Sequence, residues 1–299
     1  MKPDRVKSMV DGLERQFLEG FDPFFHYVTL EAMSNGVLDT FQIQNDEGDE
    51  LLDHEIIRQL QASEKKRSDH ISSLARVFRY FAAETLVLLI VSGPPFGPFA
   101  RAASTLRYDE MNKVFDDLAN RKVPRKFHLS RKNRAFDFTS WLSYRISGDP
   151  DWMTRLGRHE IANLVVEEAE MLRSRGAINA FKHGKPFSFG TGFKMTLTHP
   201  ETGKTVSNVP LDGINWIEWS EKKPSLEISY HTEEIIPEED KARIFLIALL
   251  SNAIRNYRLA RMNGEQNVEL TFPHGFTSGK MVRRQSMKIR LSPSEEGKK

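Results

Sequence analysis

Cysteine is absent from this chain of 299 residues. A chain without thiols forms no disulfide, holds no thiolate metal site and has no cysteine nucleophile, and such a composition is typical of the reducing cytoplasm. Long apolar runs are absent too. The longest, from Ala82 to Val91, contains Glu84 and falls short of the roughly 18 residues that a membrane-spanning helix requires. We therefore expect a cytoplasmic protein that is not a membrane protein.

Several common catalytic signatures are also missing. The sequence has no glycine-rich phosphate loop ending in Gly-Lys-[Ser/Thr], no Gly-x-Ser-x-Gly elbow and no His-Glu-x-x-His zinc helix. His159-Glu160 begins the last pattern, but the second histidine does not follow. The 9 histidines are scattered, and none pair at the spacing of metal ligands. We expect neither a bound metal nor a cofactor.

The net charge is only +2, yet charge of one sign is concentrated locally. Residues 1–60 carry 5 Lys and Arg against 13 Asp and Glu. The balance is reversed over residues 101–185, with 17 against 11, and over residues 253–299, with 10 against 4. Basic regions of this kind attract anions, including nucleic acids.

The densest basic stretch is residues 121–134, RKVPRKFHLSRKNR, in which 7 residues are Lys or Arg and none is acidic. Such a run supplies phosphate contacts, and the interleaved Phe127 offers a ring on which a base could stack. The alternative is a solvated loop whose charge only aids solubility. The candidate nucleic-acid-binding residues are Arg121, Lys122, Arg125, Lys126, Arg131, Lys132 and Arg134, together with Lys182 further along the chain.

One long amphipathic helix is predicted from Trp152 to Gly184. Apolar residues recur there at three- and four-residue spacing, from Leu156 through to Phe181, with charged residues between them. Gly176 lies inside this stretch and indicates either a close helix contact or a kink. Few other segments combine an apolar stripe with so many ionisable groups, so we look for a functional site here.

The remaining chain divides by its hydrophobic period. Helical spacing covers most of residues 4–185, strand-like alternation covers 187–232, and helical spacing returns over 238–263. We therefore predict an α+β fold that is mainly α: a helical bundle followed by a small antiparallel sheet with one long C-terminal helix. The expected domains are residues 1–185, the bundle, and residues 186–299, a small α+β region packed on it.

Glu84 lies on an otherwise apolar helix face, with Phe81 and Val87 at helical spacing. A carboxylate in such a place is costly unless it is paired or protonated. It is either part of a structural ion pair or a site acid that faces the long helix. If it is buried opposite that helix, we expect Arg173 or Arg175 to pair with it.

Residues 178–183, INAFKH, resemble the signature of the HEPN superfamily, small helical-bundle proteins of prokaryotic defence and toxin systems. The family pattern is an arginine, a polar residue that is often asparagine, a few residues and then a histidine, placed late in a bundle helix. Asn179 and His183 match the polar and histidine positions. Ile178 occupies the arginine position, and Arg175 is separated from His183 by seven residues.

The resemblance implies a helical bundle that dimerises. Many members are metal-independent ribonucleases, in which the histidine would move a proton, the asparagine would orient the reacting groups and a cation would hold the phosphate. Because Ile178 fills the arginine position, we expect a non-catalytic or degenerate HEPN-like protein that binds RNA or another polyanion, in a prokaryotic defence or toxin context. The candidate catalytic residues are His183, Asn179, Arg175 and Glu84.

Other functions stay open at this point. One is an active, metal-independent HEPN-type endoribonuclease. Another is a small-ligand sensor with its pocket where bundle and sheet meet, or a protein-interaction module. The partners we expect are RNA or another polyanion and a second copy of the chain, bound through the helical part.

Overall fold

The structure, a computed structural model, is mainly helical, with a four-stranded antiparallel sheet and a long C-terminal helix. The predicted fold class is therefore confirmed. The residues described are 3–35, 64–93, 106–128, 130–131, 134–174, 176–182, 187–191, 196–198, 203, 205–207, 211–222, 225–265, 268, 270, 272–273 and 284–291.

The α-helices lie mostly where helical periodicity predicts them. Several begin or end at a residue suited to that place: the Asp137 carboxylate accepts a hydrogen bond of 2.8 Å from Ser140 N at a helix start, and Gly148 adopts φ 71° after the same helix. The helices are α1 (Pro3–Gly20), α2 (Phe25–Ser34), α3 (Glu64–Ser92), α4 (Tyr108–Ala119), α5 (Phe138–Ser147), α6 (Trp152–Arg155), α7 (His159–Arg173), α8 (Gly176–Lys182) and α9 (Pro237–Met262).

The prediction of one helix from Trp152 to Gly184 is wrong, because the described part of this stretch forms α6, α7 and α8. Gly157 ends the first of these in the left-handed conformation, at φ 64°. Arg158 N then donates to Met153 O at 2.8 Å, which is the long bond of a Schellman ending. The second break lies before Gly176, where a β-carbon would come within 2.7 Å of a Trp216 ring atom. Gly176 is thus required by a close contact.

The strands predicted between residues 187 and 232 are present. The main sheet has the order β3-β6-β7-β8 with every pair antiparallel, and the β6–β7 ladder runs from Gly213 opposite Glu234 to Lys222 opposite Ser225. Two-stranded pairs β1–β2 and β4–β5 accompany it. The strands are β1 (Ser130–Arg131), β2 (Arg134–Ala135), β3 (Phe187–Thr191), β4 (Thr196–Thr198), β5 (Thr205–Ser207), β6 (Asp212–Lys222), β7 (Ser225–Glu234) and β8 (Arg284–Leu291).

The chain forms two compact units, each built from separate stretches. Compactness does not establish which stretch folds alone, so the expected domains 1–185 and 186–299 stay a prediction. The first unit comprises Met1–Thr29, Phe78–Arg175 and Lys241–Lys280, and the second comprises Leu30–Val77, Gly176–Asp240 and Met281–Lys299.

Each unit has a core of its own. In the first, α4 packs along α7, and residues such as Leu89, Trp141 and Leu164 are fully buried. In the second, α8 places Ala177 and Ala180 against Trp216 of the main sheet. Small residues on a helix allow this close approach to a large ring, which explains why α8 begins with glycine and alanine.

Arg145 is a buried cation whose side chain caps the C-terminal end of α3 within the first unit. Its guanidinium donates to the backbone carbonyls of Ile90, Val91 and Gly93, the carbonyls that a helix end leaves without partners. Desolvation by burial, together with the nearby Arg258, lowers the pKa of Arg145 to about 9. The side chain also lies 5.9 Å from the centre of the Phe127 ring, which links this core feature to the basic stretch.

Candidate nucleic-acid interface

The first part of the basic stretch, residues 121–128, forms a turn in the first unit, and we call it the basic turn. It starts where α4 ends: Arg121 adopts φ 53°, and Lys122 N donates to Asp117 O at 2.8 Å. A short 3-10 helix, Arg125–Phe127, follows. The backbone of these cations is therefore fixed by hydrogen bonds and does not depend on a ligand.

Phe127 is the anchor of the basic turn. Its side chain is only 5% exposed, and its carbonyl accepts a hydrogen bond of 2.8 Å from Trp141 Nε1. A His128 ring nitrogen, Nε2, lies 3.0 Å from Val123 O and closes the turn further. The expectation that Phe127 would stack on a base is wrong, because its ring belongs to the core. Its role is to hold the turn in place.

The side chains of Arg121, Lys122, Arg125 and Lys126 are all exposed. Two of them contact neighbouring side chains: Arg121 Nη2 donates to Asn163 Oδ1 at 2.6 Å, and Lys126 Nζ lies 3.2 Å from Glu110 Oε1. Within the described residues, Lys122 and Arg125 form no ion pair. The turn thus presents four cations to solvent, and among the described residues only Lys126 has a neutralising carboxylate.

Glu110 contacts the basic turn through Lys126, and it is held in its charged form. Its carboxylate accepts a hydrogen bond from Arg107 N and another from Lys126, and these bonds lower its pKa. Since Glu110 neutralises Lys126 in part, Lys126 is expected to contribute less to anion binding than Lys122 or Arg125.

The other predicted cations lie outside the basic turn. Arg131 and Arg134 lie opposite each other in the β1–β2 pair, which forms a hairpin just after the basic turn. Lys132 lies outside the described residues. Lys182 is exposed at the end of α8, in the second unit.

The residues that carry the HEPN resemblance lie in and next to α8. Asn179 is half-buried there, and Ile178 is only 2% exposed. An arginine at position 178 would therefore have to be buried, so the arginine position of the family pattern is a core position in this chain. Arg175 and His183, the other two predicted catalytic residues, lie outside the described residues.

Glu84, the candidate site acid, is half-buried in α3. Its expected pairing with Arg173 is wrong. Arg173 is exposed and contacts two other acids, Glu170 at 2.6 Å and Asp116 at 3.4 Å. Pairing of Glu84 with Arg175 falls outside the described residues, and a catalytic role for Glu84 stays a prediction.

Other residues form buried or partly buried ion pairs in the first unit. In the first unit, Arg79 of α3 holds Glu168 of α7 with two bonds of 2.8 and 2.9 Å. Arg243 of α9 holds the neighbouring Glu167 at 2.5 Å. We expected an acid on α3 and an arginine on the long helix, and the structure has the reverse. The signal that singled out Glu84, a charge on an apolar helix face, applies equally to Arg79.

The described part of the chain contains no cluster of three or more His, Cys, Asp or Glu that could hold a metal ion. None of its helices is long and apolar enough to cross a membrane. Comparisons with protein-family models, with curated proteins and with solved structures found no match, so any function has to be inferred from the residues themselves.

Proposed function

We propose that this protein binds RNA or another polyanion through the basic turn and does not cleave it. The observation that supports this is the anchored turn, with Phe127 buried beneath it and four cations pointing into solvent. A preformed arrangement of cations loses little conformational freedom on binding, which favours affinity. The β1–β2 hairpin adds Arg131 and Arg134 to the same stretch of chain.

The basic turn exposes no phenylalanine, tyrosine or tryptophan ring, and this affects the kind of binding expected. Base stacking on an aromatic side chain supplies affinity that salt does not screen, whereas phosphate contacts release counterions and weaken as salt rises. With Phe127 in the core, binding by this turn should depend strongly on salt and little on base sequence. Binding of this type fits a general polyanion contact.

The first prediction concerns Lys122 and Arg125, the two cations of the turn that form neither an ion pair nor a side-chain hydrogen bond with the described residues. The double variant Lys122→Glu/Arg125→Glu should bind single-stranded RNA at least about tenfold more weakly at low salt. The slope of log affinity against log salt should also fall by about 1 to 2, because two phosphate contacts are lost. Fluorescence anisotropy with a labelled oligonucleotide over a salt series measures both quantities.

A matched control separates this effect from a general change of charge. Lys113 and Arg155 are also exposed and belong to the same unit. The double variant Lys113→Glu/Arg155→Glu changes the net charge equally and should retain binding. If both double variants weaken RNA binding to the same extent, the basic turn is not the RNA-binding site. If the wild-type protein does not bind RNA or DNA, the turn is a solvated loop.

Metal-independent ribonuclease activity is the alternative, because Asn179 and His183 keep two positions of the family pattern. We expect the wild-type protein to leave RNA intact in the presence of a chelator, since Ile178 is a core residue. If cleavage does occur, His183→Ala should reduce its rate by about 10²–10⁴-fold and leave binding nearly unchanged. Gel analysis of RNA incubated with each protein checks this. Cleavage that survives His183→Ala would contradict the HEPN-type mechanism.

We further propose dimerisation through the helical part and a prokaryotic defence or toxin context, both from the same resemblance, and a cytoplasmic location, from the absence of cysteine. Size-exclusion chromatography with light scattering tests the first of them directly, with a monomeric mass counting against it.

A further inference from the structure

A cavity of about 510 Å³ lies within the first unit, at the point where α1 ends and α2 begins. Its walls come from those two helices and from α3 and α9, all from stretches that belong to this unit. This volume is within the range of pockets that hold small organic molecules. None of the cations of the basic turn lines it, so the cavity is separate from the proposed polyanion site.

The cavity walls are mainly apolar and include three phenylalanine rings. Phe17 and Phe21 lie parallel with ring centres 5.7 Å apart, and both line the cavity. Phe25 also lines it, and this side chain is 57% exposed, which is unusual for so large an apolar residue. Aromatic walls with an exposed ring favour a flat apolar molecule as the ligand.

His26 places one polar atom among these rings. Its Nδ1 is buried and has no hydrogen-bond partner within the described residues. The ring lies against Phe78 and Phe81, with centre-to-centre distances of 5.3 and 6.2 Å. Burial lowers the pKa of His26, so the imidazole is neutral near pH 7. A buried polar atom left without a partner is unfavourable, and a hydrogen bond from a ligand would relieve this cost.

The charge of the lining determines the class of ligand. The residues that line the cavity include no Lys or Arg in the described part of the chain, whereas Asp22 lies among them. An anionic ligand would therefore be desolvated without a counter-charge and close to a carboxylate. An uncharged molecule avoids that cost. We propose that this cavity binds an uncharged aromatic small molecule whose single hydrogen-bonding group meets Nδ1 of His26.

Three probes with the same ring test this proposal: phenol, toluene and benzoate. Their binding to the full chain is followed by ligand-observed NMR titration. Phenol should bind saturably and about 2- to 10-fold more tightly than toluene, the difference that one hydrogen bond typically makes. Benzoate should bind more weakly than either of them. His26→Phe keeps a ring but removes Nδ1, and should bring phenol binding down to that of toluene.

Cavity-filling variants identify where the probe binds. Ala82 and Thr85 both line the cavity from α3, so Ala82→Leu and Thr85→Leu should each weaken phenol binding by at least about tenfold. Two variants are used so that one remains informative if the other does not fold, as judged by circular dichroism. Ala119→Leu, at the end of α4 and outside the cavity lining, adds the same bulk and should bind phenol like the wild type.

Each outcome either supports or overturns the proposed site or its ligand class. Saturable phenol binding that is lost in the filling variants and reduced in His26→Phe supports the proposal. No saturable phenol binding, or binding that survives filling of the cavity, overturns the site. Benzoate binding as tight as phenol overturns the ligand class, and so does equal binding of phenol and toluene. RNA binding is measured separately, and neither result depends on the other.

Discussion

Replacing Arg76 by methionine is expected to lower the free energy of unfolding of the second unit by about 5 kcal/mol, at the upper end of the range for a broken buried ion pair. The Arg76 side chain is fully buried, and one guanidinium holds two carboxylates. Its Nε lies 2.9 Å from both oxygens of Asp240, and Nη1 lies 2.9 Å from Glu233. Methionine fills much of the same space but leaves both acids buried without this cation.

A matched control lies in the same cluster. Arg284 also contacts Glu233, at 3.0 Å, but its side chain is 34% exposed. Arg284→Met leaves Glu233 in contact with Arg76, so the expected loss is about 1 kcal/mol or less. Urea denaturation, with hydrogen exchange of the β6 and β7 amides to report on this unit, measures both losses. An Arg76→Met loss no larger than that of Arg284→Met would contradict the role assigned to Arg76.

Periodicity predicts the sheet and α9 because these patterns are local. Residues Leu226 to Tyr230 of β7 alternate between apolar and polar, and such alternation identifies a strand without reference to distant contacts. The acidic first turn of α9, Glu238 to Asp240, likewise indicates its start. Elements of this kind can be identified from a few neighbouring residues, and the predicted fold class depends on them.

The breaks between α6, α7 and α8 depend on contacts that a local pattern does not contain. An isolated glycine within a helical pattern is compatible with continuation, so periodicity alone gives one helix through Gly157 and Gly176. Position 176 requires glycine because the Trp216 ring, distant in sequence, occupies the space of a β-carbon there. Such a contact is known only once the fold is known.

At the candidate sites too, neighbouring residues predict some features, and contacts between residues distant in sequence determine the others. The composition of residues 121–134 identifies a basic stretch, but it does not show that Phe127 points inward and fixes the turn. The cavity beside His26 was not predicted, since its walls come from four helices and its lining residues extend from Gln16 to Ser251. The sequence signal for this cavity is weak. His26 lies within the aromatic run Phe24 to Tyr27, and that pattern by itself indicates only a helix.

The second large effect is expected at the ion pair between Arg79 and Glu168 in the first unit. Both side chains are buried, at 5% and 0% exposure, and two parallel hydrogen bonds of 2.8 and 2.9 Å join them. Arg79→Met leaves the Glu168 carboxylate without this partner, so the free energy of unfolding should fall by about 3–5 kcal/mol. Glu168→Met should have a similar effect, because it leaves a buried guanidinium.

The double variant Arg79→Met/Glu168→Met distinguishes a broken pair from a loss of packing. Two apolar side chains of similar length remove both charges together, and replacement of a buried pair in this way is often close to neutral. We therefore expect the double variant to be more stable than either single one, with a coupling free energy of at least about 3 kcal/mol. Urea denaturation with hydrogen exchange in α3 and α7 measures all four proteins. If the losses of the two single variants simply add, the two charges are not stabilising each other, and Arg79 contributes through its packing instead.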